Sequence, residues 1–402
     1  MKRILFISCC VPDELEREIT QFCKSSINIH DAANTFQKSL VHGFIENNAT
    51  LEVVSAPSLP AFPFGYKRLH IPKLQTKIEG KVLCDILPYF SFMIGKYASI
   101  ERRIVKYVKE WIKLYPEDEL TILGYNINAA FMASMKRIKN CYPKVHTALI
   151  VTDMIEDAYN FKSNTTLLKR IQVSLHKWKI YSSYDAIDKY ILLSKQMKDR
   201  IPNCKDNYIV VEGIYTHCDE IPTVDKQNII FYSGALDTFV NVVEMIEAFK
   251  KTGRNDYKLV VCGGGPLSNY VKEEAEKNPN IVFLGSISRK EVLEWQRRSL
   301  LLINPRQPSE ITKYSFPSKT MEYFASGTPV LMYKLQGIPN EYYSYCYTIE
   351  GSSVEEFKEC LKYVLSIGVQ ERNLLGNRAK EFILSKKTSS LQVKKILEFL
   401  HN

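Results

Sequence analysis

Residues 316–330, FPSKTMEYFASGTPV, combine a turn, a helix start and one acidic side chain. Pro317 favours an extended residue before it and presets φ for a first helical turn, and Ser318 offers a capping hydroxyl. Lys319 adds positive charge beside backbone N–H groups, an environment that attracts a diphosphate. Glu322 follows on the same helix face, where its carboxylate could accept both hydroxyls of a ribose. A partly buried glutamate that pairs with Lys319 or with a neighbouring helix would show the same pattern.

The elements around this segment alternate between strands and helices. Strands are predicted at residues 4–7, 51–54, 120–123, 147–152, 190–193 and 209–211 and, after a link at 215–225, at 229–232, 259–262, 281–284, 300–304 and 330–333. Alternating units of this kind predict an α/β protein with two parallel, doubly wound sheets. In such sheets ligands bind outside the carboxyl ends of the strands, a rule that places together Gly234, Gly263, Gly264, Gly265, Asn304 and Pro317. Three glycines before a proline also occur in ordinary tight turns.

The segment 316–330 resembles the donor-site signature of family 4 glycosyltransferases, which are retaining enzymes of the two-domain GT-B fold. Further segments are similar to the family's C-terminal strands and glycine turns and to the strands that precede its interdomain linker: residues 229–236, 246–249, 259–266, 281–285, 190–197 and 210–214. The resemblance spans about the whole chain and is strongest over residues 190–347. Residues 304–307 and 314–319 resemble the branch that builds capsular and extracellular polysaccharide repeat units.

The resemblance implies two Rossmann-like domains that face each other across a cleft. Residues 1–215 would form an N-terminal acceptor-binding domain, and residues 226–385 a C-terminal domain that binds the nucleotide-sugar donor. Residues 386–402 would form a helix that packs back on the first domain.

The activity implied by the resemblance is retaining transfer of a hexosyl or N-acetylhexosaminyl group. The donor would be a nucleotide-diphosphate sugar, with a UDP-sugar as the first candidate, and the acceptor a glycan or a lipid-linked oligosaccharide in surface polysaccharide biosynthesis. Family members need no metal, and this sequence lacks the Asp-x-Asp motif through which another glycosyltransferase fold binds one. We therefore expect no metal and no cofactor besides the nucleotide-sugar co-substrate.

The same resemblance assigns roles to individual residues. Glu322 would bind the ribose, and Lys319 would neutralise charge on the leaving diphosphate. The other donor-binding candidates are Ser318, Pro317, Arg306, Asn304, Gly234, Gly263, Gly264, Gly265 and Gly285. The catalytic candidates are Lys319, Glu310 and Asp153.

The sequence departs from the family pattern at the positions that usually hold the diphosphate. Many members place an Arg or Lys just after the first glycine turn and a Lys five residues later, whereas this chain has Ala235 and Val240. Lys319 and Arg306 would have to replace those cations.

Two further departures concern the reacting sugar. The family's glutamate pair lies eight positions apart, but the residue eight before Glu322 is Tyr314. Glu310 is the nearest acidic candidate and would meet the sugar ring if the predicted loop at 311–315 is an insertion, and a solvated loop glutamate is the equal alternative. Thr152 and Asp153 stand where many members have His-Asp, so Asp153 is a candidate for contact with donor or acceptor.

Composition is that of an ordinary globular protein of two domains. The chain has 402 residues, of which 45% are apolar and 24% charged. Ten cysteines show no Cys-x-x-Cys and no Cys/His grouping of metal-site spacing, a usage typical of buried thiols in a reducing cytosol. The apolar start is short and soon becomes charged, which favours a first buried strand over a signal peptide, and no apolar run reaches the ~18 residues of a membrane span. A cytoplasmic protein is expected.

Basic residues gather in two segments. Residues 66–113 contain 11 Lys/Arg against 4 Asp/Glu, and residues 162–200 contain 9 against 3. Interleaved aromatics predict basic helices suited to peripheral contact with the anionic inner face of the plasma membrane, or to a lipid-diphosphate acceptor. A solvated charged face with its aromatics in the core is the alternative. No nucleic-acid-binding motif accompanies this charge.

Other function classes are less consistent with the motifs. The sequence has no P-loop, and no Gly-x-Gly-x-x-Gly follows the first strand, which argues against a P-loop NTPase and a dinucleotide-binding dehydrogenase. A non-catalytic GT-B subunit that binds a nucleotide sugar or glycan stays open, and so does a GT-B sugar epimerase.

Overall fold

The computed structural model describes residues 1–24, 32–155, 167–216 and 225–402, with side chains from residue 170 in the third range. The chain divides into unit 1, Met1–Ile214 with Ser389–Asn402, and unit 2, Tyr215–Thr388. Most of the predicted link at 215–225 lies outside the described residues. Residues 386–388 were expected in the C-terminal helix that packs on the first domain, but they belong to unit 2.

Unit 1 is built on a mostly parallel sheet. Its described strands are β1 Lys2–Ser8, β2 Leu51–Ser55, β3 His70–Ile71, β4 Leu74–Ile78, β5 Val82–Ile86, β6 Tyr89–Phe90, β7 Glu119–Tyr125, β8 His146–Val151, β9 Lys189–Leu192 and β10 Tyr208–Val210. The sheet order is β10-β9-β8-β7-β1-β2-β5-β4, with β4 antiparallel to β5, and β3 pairs with β6 apart from it. Central strands such as β1 are buried on both faces, which explains their continuous apolar sequences.

Helices cover both faces of this sheet. The described helices of unit 1 before residue 215 are α1 Glu16–Thr20, α2 Ala32–Glu46, α3 Lys96–Leu114, α4 Ala129–Cys141 and α5 Leu167–Tyr181. Asn128 shows how such a helix starts, because its side-chain oxygen accepts hydrogen bonds from the backbone N–H groups of Ala130, at 2.9 Å, and Phe131, at 3.3 Å.

The prediction of basic helices in the segment 66–113 is wrong before residue 96, because β3 to β6 lie between residues 70 and 90. β4 is an edge strand that alternates between half-buried and exposed side chains, and it carries Gln75 and Lys77 on its outer face. Polar and charged residues at an edge strand resemble the pattern of a solvated helix. The predicted strands elsewhere in unit 1 are confirmed within about two residues.

Unit 2 is built on a sheet that is parallel throughout its described strands. They are β11 Gln227–Ser233, β12 Lys258–Cys262, β13 Ile281–Gly285, β14 Ser299–Asn304, β15 Val330–Tyr333 and β16 Tyr347–Ile349, in the order β13-β12-β11-β14-β15-β16. This is a doubly wound Rossmann-like order, and the direction of winding reverses between β11 and β14. The five predicted strands are confirmed, and only the short β16 was not predicted.

The helices of unit 2 flank its sheet. Among its described residues they are α6 Val242–Thr252, α7 Ser268–Lys277, α8 Arg289–Arg298, α9 Glu310–Lys313, α10 Lys319–Ala325, α11 Val354–Ser366 and α12 Val369–Lys386. Gly327 ends the turn after α10 with a positive φ of 74°. α12 packs closely on that turn, since a Cβ added to Gly376 would overlap the carbonyl oxygen of Gly327.

The last helix, α13 Ser389–His401, is part of unit 1 and packs on α2. The contact is close, because a Cβ added to Gly43 would overlap the carbonyl oxygen of Ser389. Asn47 donates a 2.9 Å hydrogen bond to the carbonyl of Ser390, and Gln392 donates one of 2.8 Å to Gly213. Residues distant in sequence therefore complete the core of unit 1.

Candidate functional site

The glycine turns of unit 2 lie side by side at the carboxyl ends of its strands. The N–H of Gly234, after β11, donates to the carbonyl of Cys262 at 2.9 Å, and the N–H of Gly263, after β12, donates to Gly285 at 2.8 Å. These backbone bonds join the ends of three neighbouring strands. The structure thus brings Gly234, Gly263 and Gly285 together.

Close backbone contact explains the glycines after β12. Gly263 has φ 138°, and a Cβ there would overlap the carbonyl oxygen of Gly234. Gly265 has φ 154°, and a Cβ there would overlap the carbonyl of Leu236. Gly264 accepts a 3.0 Å hydrogen bond from the N–H of Leu236. The run therefore lets two turns approach each other at the sheet edge.

Lys319 begins α10 and reaches back to the end of β11. Its ammonium group donates a hydrogen bond to the carbonyl oxygen of Ser233 and lies 6.0 Å from the centre of the Tyr232 ring. Burial lowers the pKa of Lys319, an effect that the nearby charge of Glu322 opposes. Within the described ranges no carboxylate forms an ion pair with Lys319. A partly buried cation therefore lies here without a carboxylate in ion-pair contact among the described residues.

Arg306 is a second such cation, two residues beyond β14. Its side chain is half-buried, and burial lowers its pKa while Tyr232 acts in the opposite direction. Its guanidinium makes no hydrogen bond or ion pair with any residue that the structure describes. Arg306 and Lys319 both lie near Tyr232, at the carboxyl ends of β11 and β14. This is the point where the sheet reverses its winding and where doubly wound sheets bind ligands.

The turn after β14 is held by its neighbours. Asn304, the last residue of β14, is buried, and Asn241 donates a 3.4 Å hydrogen bond to the carbonyl of Pro305. The backbone that carries Arg306 is thereby fixed to the segment that precedes α6. The predicted grouping of Asn304 with the glycine turns is consistent with this order of strands.

Glu322 is oriented by α8 and not by Lys319. One carboxylate oxygen accepts a 2.6 Å hydrogen bond from Nε2 of Gln296, and the other lies 3.8 Å from Nη2 of Arg289. The Gln296 side chain is fully buried, whereas the Glu322 side chain keeps 25% of its surface exposed. Glu322 therefore does pair with a neighbouring helix, as the alternative interpretation of the sequence predicted, but its carboxylate stays accessible.

Gln296 and Arg289 were not predicted as site residues. They lie seven positions apart on α8 and so project from the same face, but nothing in the sequence shows that this face meets Glu322. Only the packing of α8 beside α10 reveals the contact. The side-chain oxygen of Gln296 has no hydrogen-bond partner among the described residues, whereas Nε2 of the same side chain donates the hydrogen bond to Glu322.

The prediction that Ser318 caps α10 is wrong. Ser318 has helical backbone angles, φ −52° and ψ −30°, and its hydroxyl makes no capping bond. A capping residue needs an extended backbone so that its side chain turns back to the first N–H groups. The turn closes instead through the N–H of Thr320, which donates to the carbonyl of Pro317 at 2.9 Å.

Glu310 lies on a helical turn, so the prediction of a loop at residues 311–315 is wrong for its first half. Ser309 caps α9 by accepting a hydrogen bond from the N–H of Thr312 at 3.2 Å. The Glu310 side chain is 71% exposed and forms a 2.5 Å ion pair with Lys313. An exposed Glu310 that pairs with Lys313 agrees with the alternative in which this residue is a solvated glutamate.

Asp153 lies in unit 1, after the carboxyl end of β8. Its carboxylate accepts hydrogen bonds from the side chains of Asn126, at 2.9 Å, and Thr152, at 3.0 Å. Asn126 follows β7 and has a left-handed φ of 60°. Asp153 is exposed and has a fixed orientation at that end of the sheet.

Two general observations concern all the residues that the structure describes. These residues contain no group of three His, Cys, Asp or Glu side chains that could hold a metal ion. They also contain no helix long and apolar enough to cross a membrane.

The C-terminal part of the chain matches a known family. Residues 217–382 match the family model described as "Glycosyl transferases group 1", which spans nearly all of unit 2 and its candidate site. Among curated proteins, no sequence matches this chain.

Solved glycosyltransferase structures share the fold of the whole chain. Sucrose-phosphate synthase from Thermosynechococcus elongatus has 11% identity and a TM-score of 0.64, over 100% of this chain and 98% of that one. The lipopolysaccharide outer core galactosyltransferase WaaB has 14% identity and a TM-score of 0.63, over 99% of both chains. A TarM variant from S. aureus, solved with fondaparinux, α-GlcNAc-glycerol and UDP, has 11% identity and a TM-score of 0.61, over 100% of both. Similarity at this identity shows the fold, which is the GT-B fold with two Rossmann-like domains.

Proposed function

We propose that this chain is a retaining glycosyltransferase that uses a nucleotide-diphosphate sugar, with a UDP-sugar as the first candidate. The observation that carries the proposal is a pair of cations, Lys319 and Arg306, where the winding of the unit 2 sheet reverses. Neither has a carboxylate partner among the described residues. Glu322 is close by on α10, held by Gln296. The family match over this unit supports glycosyl transfer, and the UDP bound in the TarM structure supports the choice of nucleotide.

The proposed chemistry is the displacement of a nucleoside diphosphate from a sugar. The bond between the anomeric carbon and the diphosphate breaks as the acceptor hydroxyl bonds to the same face of that carbon, and a donor phosphate oxygen takes the hydroxyl proton. Lys319 and Arg306 stabilise the charge that develops on the leaving group. With these two cations in place, we propose that the reaction needs no metal.

The remaining residues position the two substrates. Glu322 accepts the ribose hydroxyls, and Gln296 fixes the orientation of its carboxylate. Asp153, held by Asn126 and Thr152, orients an acceptor on unit 1. Glu310 approaches the donor sugar only if it exchanges its ion pair with Lys313, so its contribution is the smallest.

We propose a glycan or a lipid-linked oligosaccharide as acceptor, in surface polysaccharide biosynthesis, and a hexosyl or N-acetylhexosaminyl group as the sugar. The reaction takes place in the cytoplasm, with peripheral contact at the inner face of the plasma membrane. The nucleotide sugar is the only co-substrate in this scheme.

A non-catalytic subunit that binds a nucleotide sugar is the second candidate. The observation that favours it is the absence of cations at Ala235 and Val240, together with the exposed and paired state of Glu310. This candidate predicts donor binding without turnover.

Thermal stabilisation tests the donor site directly. The wild type is heated with UDP-, GDP-, CMP- and dTDP-sugars in the presence of EDTA, beside Lys319→Met, Glu322→Gln and the control Glu381→Gln, an exposed position on α12. Stabilisation by one nucleotide class that both site variants lose and the control keeps is expected, since a ligand of the folded state raises the midpoint. The absence of stabilisation by every nucleotide sugar would contradict the proposal.

Turnover then separates the two candidates. Release of the nucleoside diphosphate from the stabilising donor is measured with and without glycan acceptors. Acceptor-dependent release supports the transferase, whereas tight donor binding with no release under any condition favours the non-catalytic subunit.

A further inference from the structure

Helix α5 in unit 1 exposes an apolar stripe to solvent. Ile171, Leu175 and Trp178 follow one another at the spacing of one helix face, and their exposed fractions are 49%, 55% and 66%. A single exposed apolar side chain is ordinary, but three on one helix face form a contiguous apolar surface of the kind that marks an interaction site. Ile94, 62% exposed, lies just before α3.

The adjacent face of α5 packs against α3 and fixes the stripe at the surface. Gln172 donates a 3.4 Å hydrogen bond to the carbonyl of Met93, and the His176 ring lies 4.2 Å from that of Tyr97. Met93 is itself 43% exposed. The stripe therefore continues onto the apolar turn that precedes α3, formed by Met93 and Ile94.

A cationic groove lies between α3 and α4. Its volume is about 650 Å³, and its ionic lining consists of Arg102, Lys106, Lys109, Lys113, Arg137 and the single acid Glu110. Arg102, Lys109 and Lys113 form no ion pair or hydrogen bond with any residue in the described parts of the chain. The groove thus carries positive charge at Arg102, Lys109 and Lys113 that no described residue neutralises.

Glu101 connects the groove to the stripe. One oxygen of this buried carboxylate accepts a 3.1 Å hydrogen bond from Arg137, at the groove, and the other pairs with Lys179 at 2.5 Å. Lys179 is the residue after Trp178. The groove and the stripe are therefore linked through Glu101 within the α3, α4 and α5 layer, and we call the two together the docking face.

From this surface we infer that the docking face binds an anionic phospholipid bilayer. Trp178, Leu175 and Ile171 enter the boundary between head groups and acyl chains, and the groove lysines and arginines bind lipid phosphates. The inference takes its membrane setting from the proposed function but uses no residue of the donor site. Tyr89 and Trp111 of the first basic segment are buried, which agrees for these two residues with the alternative of a charged face with its aromatics in the core.

Other binding partners would complement only half of the docking face. A soluble polyanion would satisfy the groove but leave the apolar stripe in water. A second copy of the chain, related by two-fold symmetry, would bring one unneutralised cationic groove close to another. An anionic bilayer satisfies both halves, because it offers phosphate charge and apolar depth in the same surface.

Vesicle co-sedimentation of the 402-residue chain tests the inference. Vesicles of phosphatidylcholine alone are compared with vesicles that also contain phosphatidylglycerol. One variant reverses groove charge, Lys109→Glu with Lys113→Glu, and one removes the stripe, Leu175→Ser with Trp178→Ser. Matched controls on exposed parts of unit 2 are Lys272→Glu and Leu374→Ser.

We expect binding to the anionic vesicles only, weakened by salt and at least about tenfold weaker in the charge-reversal variant, as expected from the contribution of each lysine near an anionic surface. The stripe variant should also lose binding, and both controls should keep it. Equal binding to both kinds of vesicle, or binding by both variants at the wild-type level, would overturn the inference.

Two further measurements distinguish the bilayer from a soluble polyanion and from a second copy of the chain. A polyphosphate that binds the groove with equal affinity in the stripe variant, while vesicles do not bind, would indicate a soluble polyanion and refute the bilayer. Wild-type dimers that the stripe variant dissociates in the absence of vesicles would indicate a second copy. Stabilisation of each variant by the donor nucleotide sugar shows that it is folded and reports separately on the proposed function.

Discussion

Gln296 offers the sharpest test of how the candidate donor site is assembled. Replacement by Leu keeps the volume of a fully buried side chain but removes the 2.6 Å hydrogen bond to Glu322. A hydrogen bond to a charged group contributes about 1.5–3 kcal/mol, and we take the lower value because Glu322 is partly exposed and water can replace the donor. The affinity for the nucleotide sugar should therefore fall about tenfold.

The kinetic signature should identify a positioning role. The ribose contact is the same in the bound substrate and in the transition state, so Gln296→Leu should raise KM and leave kcat nearly unchanged. Arg289→Gln is the comparison within the site. Its ion pair is 3.8 Å long and half exposed, and such pairs contribute at most about 1 kcal/mol, so its effect should be smaller.

Gln296→Glu makes the same contact pH-dependent. Two carboxylates 2.6 Å apart repel by about 6 kcal/mol at an effective dielectric constant of 20, so the pair will retain one proton up to a raised pKa. Protonated, the introduced carboxyl can donate to Glu322 as the amide does. Donor affinity should approach that of the wild type at acidic pH and fall as the pH rises through that pKa.

Calorimetric titration of the nucleotide sugar across this pH range, with steady-state kinetics, checks both variants. Donor affinities within about twofold of the wild type for Gln296→Leu and Gln296→Glu at every pH would refute the view that Gln296 positions Glu322. A fall in kcat with unchanged KM would also refute it, because the residue would then act only in the transition state.

Four other substitutions have expected outcomes. Lys319→Met should abolish donor binding but preserve or raise the unfolding temperature of the free protein. Burial lowers the pKa of Lys319, so the substitution removes a charge that is unfavourable in the folded state. A lower unfolding midpoint by calorimetry would contradict this. Gly263→Ala should lower the free energy of unfolding by several kcal/mol, because the added Cβ overlaps a carbonyl and φ is 138°. Gly253→Ala, where φ is 66° and the space is open, should lower it by about 1 kcal/mol. Urea unfolding measures both. Burial lowers the pKa of Lys96 from 10.5 to about 8, so its charge costs on the order of 3 kcal/mol at neutral pH, less the contribution of its hydrogen bond to the Leu59 carbonyl. The unfolded state alone holds this proton between pH 8 and 10.5, so the stability advantage of Lys96→Met should shrink over that interval, and an advantage that grows would contradict the assignment.

The sequence predicted the strand ends and glycine turns of unit 2 better than the side-chain contacts around them. Glycine turns and strand ends follow local rules, and strand order brings Gly234, Gly263 and Asn304 to the same edge of the sheet. Gln296 could not be predicted in this way, because its contact with Glu322 depends on how α8 lies beside α10. A polar residue on an amphipathic helix gives no sign of the partner it meets.

The fold of unit 1 was predicted less completely, for a similar reason. Apolar strands such as β1 and β7 are evident from their buried sequences, but β4 carries Gln75 and Lys77 and depends on its neighbour β5 for its hydrogen bonds. The exposed stripe of α5 is the opposite case. Its residues have the spacing of an ordinary core-facing helix, but their exposed side chains show that the stripe faces outward, while Gln172 and His176 contact α3 and the turn before it.

The position of α13 in unit 1 sets an order of events during synthesis. Unit 2 is one continuous segment, Tyr215–Thr388, so all its residues leave the ribosome before the residues of α13. Until then α2 lacks the helix that contacts Gly43 and Asn47, and the nascent unit 1 is incomplete although its strands are already made. A message cut short near its end would thus yield a chain with a finished unit 2 and an unfinished unit 1, a defect that quality-control proteases can recognise.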